Sequence, residues 1–265
     1  MPISQEIRVM PEIIGKFNGS GLTGELIGAL LRGEADRDLV SDARRLLIEF
    51  DANEIVKIDG LENVPTKTGC LMTFNHPNMD VLLPALLDLI VEVHDNGAHD
   101  VSILMGSEIP MLGKFNESHP LPGSISLLRK FHRLYSHNII SVPMSIDRKD
   151  YLDGRFLAVR RAVSDMKKGN IIIVSPEGHV ELDNVISPEE TFHSGTGSLS
   201  LMAAKILLPT LPVAIWQEKN NKEINIRIGK SFYNQSKDEN EAVYLVMEKI
   251  SELMPDALKG PFRTR

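Results

Sequence analysis

The chain has 265 residues, 42% of them apolar and 25% charged, so it can bury a sizeable core and lacks the composition of a disordered protein. With 29 basic against 36 acidic residues and a net charge of −7, it lacks the basic surplus that a nucleic-acid footprint requires. Its single cysteine, Cys70, lies in an apolar run, which excludes a disulfide framework and points to a reducing compartment.

The opening MPISQEIRVMPEII has no basic start leading into an unbroken apolar core, so no secretory signal is expected and the cytoplasm is the expected location. Residues 1–53 read as a helical N-terminal extension. One apolar stripe holds Leu22, Leu26, Ile27, Leu30 and Leu31, and a second holds Leu39, Ala43, Leu46, Leu47 and Phe50. Such stripes pack on a core or lie in a membrane interface, and packing is the commoner use.

Residues 54–265 read as a single α/β domain with a largely parallel mixed sheet flanked by helices. The run EIVKIDG is a strand, a Pro- and Gly-bearing connection follows, and CLMTFN reads as a buried strand that delivers His76. Pro77 biases His76 away from helical geometry and itself suits a first helical position, so a helix is expected from Pro77. The most apolar stretch, residues 81–93, is interrupted by Pro84, Asp88 and Glu92 and falls short of the roughly 20 residues that a spanning helix needs. Any membrane contact is therefore expected to be peripheral.

Residues 101–105 read as a strand, and residues 110–123 as a long connection of the kind that forms lids or channel walls. A basic helix over 124–135 and an extended stretch reaching Arg148 come next. The helix expected over 155–168 carries Phe156, Val159, Val163 and Met166 inward and is capped by Gly169. IIIVS is a buried parallel strand ending at PEGH, and ligand sites in α/β sheets lie beyond such strand ends. SGTGSLSLMAAKI opens a helix with small residues, LPTLPVAIW returns as a strand, residues 224–228 form another, and a closing helix aligns Val243, Met247, Ile250 and Met254. Strands alternating with helices give the α/β class.

The stretch TFNHPNMDVLLPALL carries the chemistry. His76 stands at a helix mouth, and Asp80 lies about one turn on, within reach of the imidazole. An imidazole titrates near pH 6.5, and a carboxylate on its far nitrogen fixes the tautomer, which makes a general base for a hydroxyl or amine. The plainer reading is a helix-capping histidine followed by a first-turn acid favoured by the helix dipole. HVELD at residues 179–183 repeats the His-x3-Asp spacing, which offers a second place for a site, and its position after the strand end favours a supporting role instead. No metal-ligand spacing occurs, and no Gly-x-Ser-x-Gly elbow marks a hydrolase.

Four blocks in order, FNHPNMD, IDR ending at Arg148, VSPEG and LPVAI, together with the flanks IVKIDGLENVP and VMEKISELMPDALKGPF, resemble the glycerolipid (lysophosphatidate-type) acyltransferase family over residues 54–262. The resemblance implies His76 as general base with Asp80 as its orienting partner. It implies acceptor binding by Arg148, Pro176, Glu177 and Gly178, with Asn75, His179, His193 and Gly195 as secondary candidates. It implies no bound cofactor. The acyl donor would be acyl-CoA or acyl carrier protein, the acceptor a lipid-like alcohol or amine, and the setting a peripheral membrane surface. A non-catalytic relative that binds a lipid or partner, and a thioester hydrolase, are the alternatives.

The chain departs from the family pattern at three places. Three residues rather than four separate His76 from Asp80, which on a regular helix rotates the acid by about 100°. His179 and Val180 replace the usual Thr-Arg, and Phe192 to Gly195 occupy the region where a lysine is common. Two permanent cations are thus absent, so the acceptor pocket is expected to select phosphate less strongly, unless Lys114, Arg129 or Lys130 supplies the charge.

Overall fold

The computed structural model describes residues 20–49, 56–97, 100–108, 124–144, 151–177, 180–181, 184–218 and 222–263. The readings made for Phe50 and for the connection over 110–123 lie outside these residues. Secondary structure follows the α/β pattern with a largely parallel mixed sheet and an N-terminal helical region, and the chain divides into two compact units.

The larger unit comprises Ala52–Val101 and Val163–Arg265. Its strands are β1 (Val56–Asp59), β2 (Cys70–Phe74), β5 (Ile171–Val174), β6 (Thr210–Gln217) and β7 (Ile224–Ile228), in the order β1-β7-β6-β2-β5. β2 is parallel to both of its neighbours, with Thr73 opposite Val174 and Phe74 opposite Val213. Every side chain of β2 is buried, as a strand flanked by parallel partners should be. The exception to parallel pairing is β6 with β7, which are antiparallel across a short connection.

Helices α3 (Met79–Gly97), α6 (Ser194–Lys205) and α7 (Glu239–Ser251) pack on these strands. α6 and α7 approach closely at Gly197, where a Cβ would lie 2.0 Å from the Glu239 carbonyl oxygen. Asp238 caps α7 by accepting the backbone N–H groups of Asn240 and Glu241. Val243, Met247, Ile250 and Met254 are buried as their spacing predicts, the last three beside Trp216 and Ile186. Gly169 ends the helix before β5 at φ +100°, a conformation that glycine adopts without strain.

The smaller unit comprises Met1–Asp51 and Ser102–Ala162. It contains α1 (Ser20–Arg32), α2 (Leu39–Glu49), α4 (Ser124–Leu134), β4 (Ile139–Val142), most of β3 (Val101–Gly106) and most of α5 (Tyr151–Lys167). β3 and β4 are parallel, with Ile103 opposite Ile139. Arg37 ties this unit together, donating to both Asp42 oxygens at 2.7 and 2.8 Å and to Glu25 at 2.8 Å, while the Tyr135 hydroxyl donates to Asp42 at 2.9 Å.

Three sequence expectations are corrected. In α1 Leu22 and Ala29 are buried, but Ile27 and Leu31 are 51% and 74% exposed, because they stand one residue, about 100°, round from the packed face. In α5 the buried residues are Ala158, Ala162, Asp165 and Met166, whereas Phe156 is 67% exposed. Alanines spaced by four let neighbouring backbone approach, and the larger side chains are left outside. α3 begins at Met79 rather than Pro77, because the Asn78 side chain accepts the Val81 N–H at 3.2 Å and caps it.

Candidate active site

β2 and β5 run parallel in register, so the residues that follow them leave the sheet at the same edge. Asn75 and His76 follow β2, and Ser175, Pro176 and Glu177 follow β5. The Asn75 carboxamide continues the sheet where the strand has ended. Its Nδ2 donates to the Ile215 carbonyl at 2.9 Å and its Oδ1 accepts the Ile215 N–H at 2.8 Å, as a peptide group of β2 would.

His76 is held by its backbone from both sides. Its N–H donates to Glu177 Oε2 at 2.8 Å, and its carbonyl accepts the Glu181 N–H at 2.7 Å. Glu177 Oε1 accepts the Ser187 N–H at 2.9 Å. The imidazole lies 6.3 Å from the Phe74 ring, centroid to centroid. His76 is half-buried, whereas Asn75, Glu177 and Glu181 are inside the protein at 0%, 3% and 1% exposure.

Glu177 and Glu181 form a buried carboxyl pair joined by a side-chain hydrogen bond. Asn75 Nδ2 also donates to both Glu181 oxygens at 3.3 Å. Among the described residues no cation pairs with either acid. Burial first, and then the charge of Glu177, hold the Glu181 carboxyl far above the usual carboxylate range, opposed by the Asn75 hydrogen bond. Both Glu177 oxygens accept backbone N–H groups, so the proton of the pair belongs on Glu181.

Asp80 is the second residue of α3, a first-turn acid at the positive end of the helix dipole. Among the described residues its buried Oδ1 has no hydrogen-bond partner, and its carboxylate makes no bond to His76. Helix entry is pinned one residue before α3, where the Asn78 N–H donates to Asn184 Oδ1 at 3.1 Å. Cys70 is fully buried, and burial pushes its thiol up to about 12, so it is no nucleophile.

Of the other predicted residues, Pro176 is buried and its carbonyl accepts the His193 N–H at 2.8 Å. His193 is exposed and precedes α6, and Gly195 lies in that helix's first turn, half-buried. Arg148, Gly178 and His179 fall outside the described residues. Glu181, Ser187 and Ile215 escaped the sequence reading, because no local pattern marks a glutamate whose partners stand on other segments. Among the described residues no group of His, Cys, Asp and Glu is arranged to hold a metal ion, and no helix is long and apolar enough to cross a membrane.

No family model and no curated protein matches the chain. Among solved structures it is similar to the crystal structure of the 1-acyl-sn-glycerophosphate (LPA) acyltransferase PlsC from Thermotoga maritima, at 19% identity over 85% of each chain and a TM-score of 0.49.

Proposed function

We propose that the protein is an acyltransferase that moves a fatty acyl group from an acyl thioester to a hydroxyl or amine of a lysolipid or glycerolipid-like acceptor, with His76 as general base. The observation that carries this reading is the hydrogen bond from the His76 N–H to Glu177, which joins two motif blocks 101 residues apart at one edge of the sheet. That edge is where α/β folds place their chemistry.

In this mechanism the acceptor oxygen or nitrogen attacks the thioester carbonyl and His76 takes its proton. The C–S bond then breaks, and the departing thiolate recovers that proton from the imidazolium. A thioester needs no enzyme nucleophile, only a deprotonated and well-placed acceptor. Rigid backbone anchoring at N–H and carbonyl fixes where the imidazole stands. Asp80 serves as its orienting carboxylate, since a buried acceptor without a partner costs about 1–3 kcal/mol and gains by closing on an imidazole N–H. The donor is acyl-CoA or acyl carrier protein, and the acceptor region takes in Arg148, Pro176, Glu177 and Gly178.

The missing Asp80–His76 bond favours a second reading, a non-catalytic relative that binds a lipid or partner. Incubation with acyl-CoA and acyl carrier protein donors and a panel of phosphorylated and unphosphorylated acceptors, followed by mass spectrometry, separates the two. Transfer should occur and should fall by roughly 10² to 10⁴ in His76→Ala. Unchanged transfer by a folded variant refutes the assignment of the base. Absence of transfer to every acceptor favours the binding protein.

The lipid-like acceptor implies peripheral association with the cytoplasmic face of a membrane, supported by the exposed Leu152, Phe156 and Leu157 of α5. Alkaline carbonate should release the protein from membranes, and retention of unaggregated protein in the pellet contradicts this.

A further inference from the structure

Within the smaller unit, a cavity of about 270 Å³ opens between α4, the β3 end, β4 and α5, lined by Arg129, Arg133, Arg161, His132, Ser107 and Ser141 among others. Among the described residues no acidic side chain lines it. Arg129 and Arg133 stand four residues apart on α4, a spacing that brings them onto one face, where like charges repel. Both are exposed, and neither makes an ion pair or side-chain hydrogen bond among the described residues. Arg161 is anchored beside them, donating to the carbonyls of Ser136 at 2.7 Å, His137 at 3.0 Å and Ile139 at 3.1 Å.

A second observation is independent of charge. His132 is 8% exposed, and among the described residues its buried Nε2 has no hydrogen-bond partner. Burial pushes the imidazole down to about 4, so the ring is neutral at pH 7. An unsatisfied buried ring nitrogen is costly unless a ligand completes it. The cavity exceeds the roughly 30 Å³ share of one water several-fold and falls just short of the ~300 Å³ at which drug-sized pockets begin. It therefore suits a small anion or a headgroup and is too small for a whole nucleotide cofactor.

We propose that this cavity is a binding site for a phosphate ester, held by the Arg129 and Arg133 guanidiniums with Arg161 fixed beside them and the His132 ring completing the lining. Guanidinium forks match phosphate oxygens in pairs, and a dianion removes the repulsion between the two α4 arginines. The Ser141 hydroxyl supplies a further donor, whereas those of Ser107 and Ser136 already donate to Glu108 and Asp36. The chain lacks the two family cations at 179–180 and before Gly195, and here it carries arginines that no such motif prescribes. The site lies within one unit, and its binding needs no acyl donor, so it stands or falls apart from the acyltransferase reading.

Two probes separate the sources of the phosphate. Glycerol 3-phosphate is titrated by calorimetry, and vesicles of phosphatidylcholine with and without 20% phosphatidic acid are tested by flotation, each with the wild type and with Arg129→Gln, Arg133→Gln and the double variant. Lys130→Gln, exposed on the same helix but outside the lining, is the charge control, and circular dichroism confirms folding. Saturable binding of either probe should weaken about tenfold for each arginine lost, the equivalent of one charge-assisted hydrogen bond, and should weaken with salt. Loss confined to glycerol 3-phosphate identifies a soluble ester, and loss confined to phosphatidic acid vesicles identifies a lipid headgroup. Absence of binding to both probes, binding unchanged in the double variant, or an equal loss in Lys130→Gln overturns the proposal.

Discussion

Replacing Glu181 by glutamine tests the buried proton beneath His76. Glu181 is 1% exposed, shares a hydrogen bond with Glu177 and receives Asn75 Nδ2 at 3.3 Å. Glutamine copies the protonated acid, since its amide donates to Glu177 and its carbonyl accepts from Asn75. The folded-state pKa of Glu181 lies above its unfolded value. Its stabilisation is thus complete below about pH 4.3, the ordinary glutamate value, and is lost progressively as pH rises toward the folded value. One proton held by the folded state alone lowers stability by about 1.4 kcal/mol per pH unit, or about 2.7 kcal/mol between pH 6 and pH 8. The glutamine variant has no such proton, so its stability should fall by that much less over the same interval, all other titrations being common to both proteins. Urea unfolding at the two pH values, followed on Trp216, reads this difference, because it is the chain's single tryptophan and lies buried in the same unit. Parallel pH dependences refute the shared proton. Glu181→Ala should instead lose roughly 2–6 kcal/mol at pH 6, from two buried partners left unsatisfied at about 1–3 kcal/mol each, and about 2.7 kcal/mol less than that at pH 8 because it too lacks the proton.

Asp80→Asn keeps the shape of the first turn of α3 and removes the charge that would hold the His76 tautomer, so transfer rates should fall at least tenfold with little change in acceptor KM; a near-normal rate removes Asp80 from the mechanism. Gly197→Ala places a Cβ 2.0 Å from the Glu239 carbonyl oxygen and should force α6 from α7, costing about 1–3 kcal/mol in thermal or urea unfolding; a variant as stable as the wild type disproves the close contact.

What the sequence determined by itself is local. The β-branched and apolar runs at 70–74 and 171–174 set two buried strands, the spacing of Val243, Met247, Ile250 and Met254 set the inner face of α7, and His76 stood at a strand end before any contact was known. These follow because side-chain periodicity and Pro or Gly punctuation act within a few residues. The tertiary structure decided which faces were covered. α5 buries Ala158 and Ala162 and leaves Phe156 outside, since a neighbour that comes close selects small residues over large ones. It also decided what the acids do. Glu181 reads in sequence as one more solvated charge, and becomes a proton-bearing buried group because β2 and β5 run side by side and bring Asn75 to it across 106 residues, beside Glu177 at one sheet edge. The fate of a buried charge depends on the groups that surround it, and those groups are chosen by strand pairing over distances that no local pattern spans.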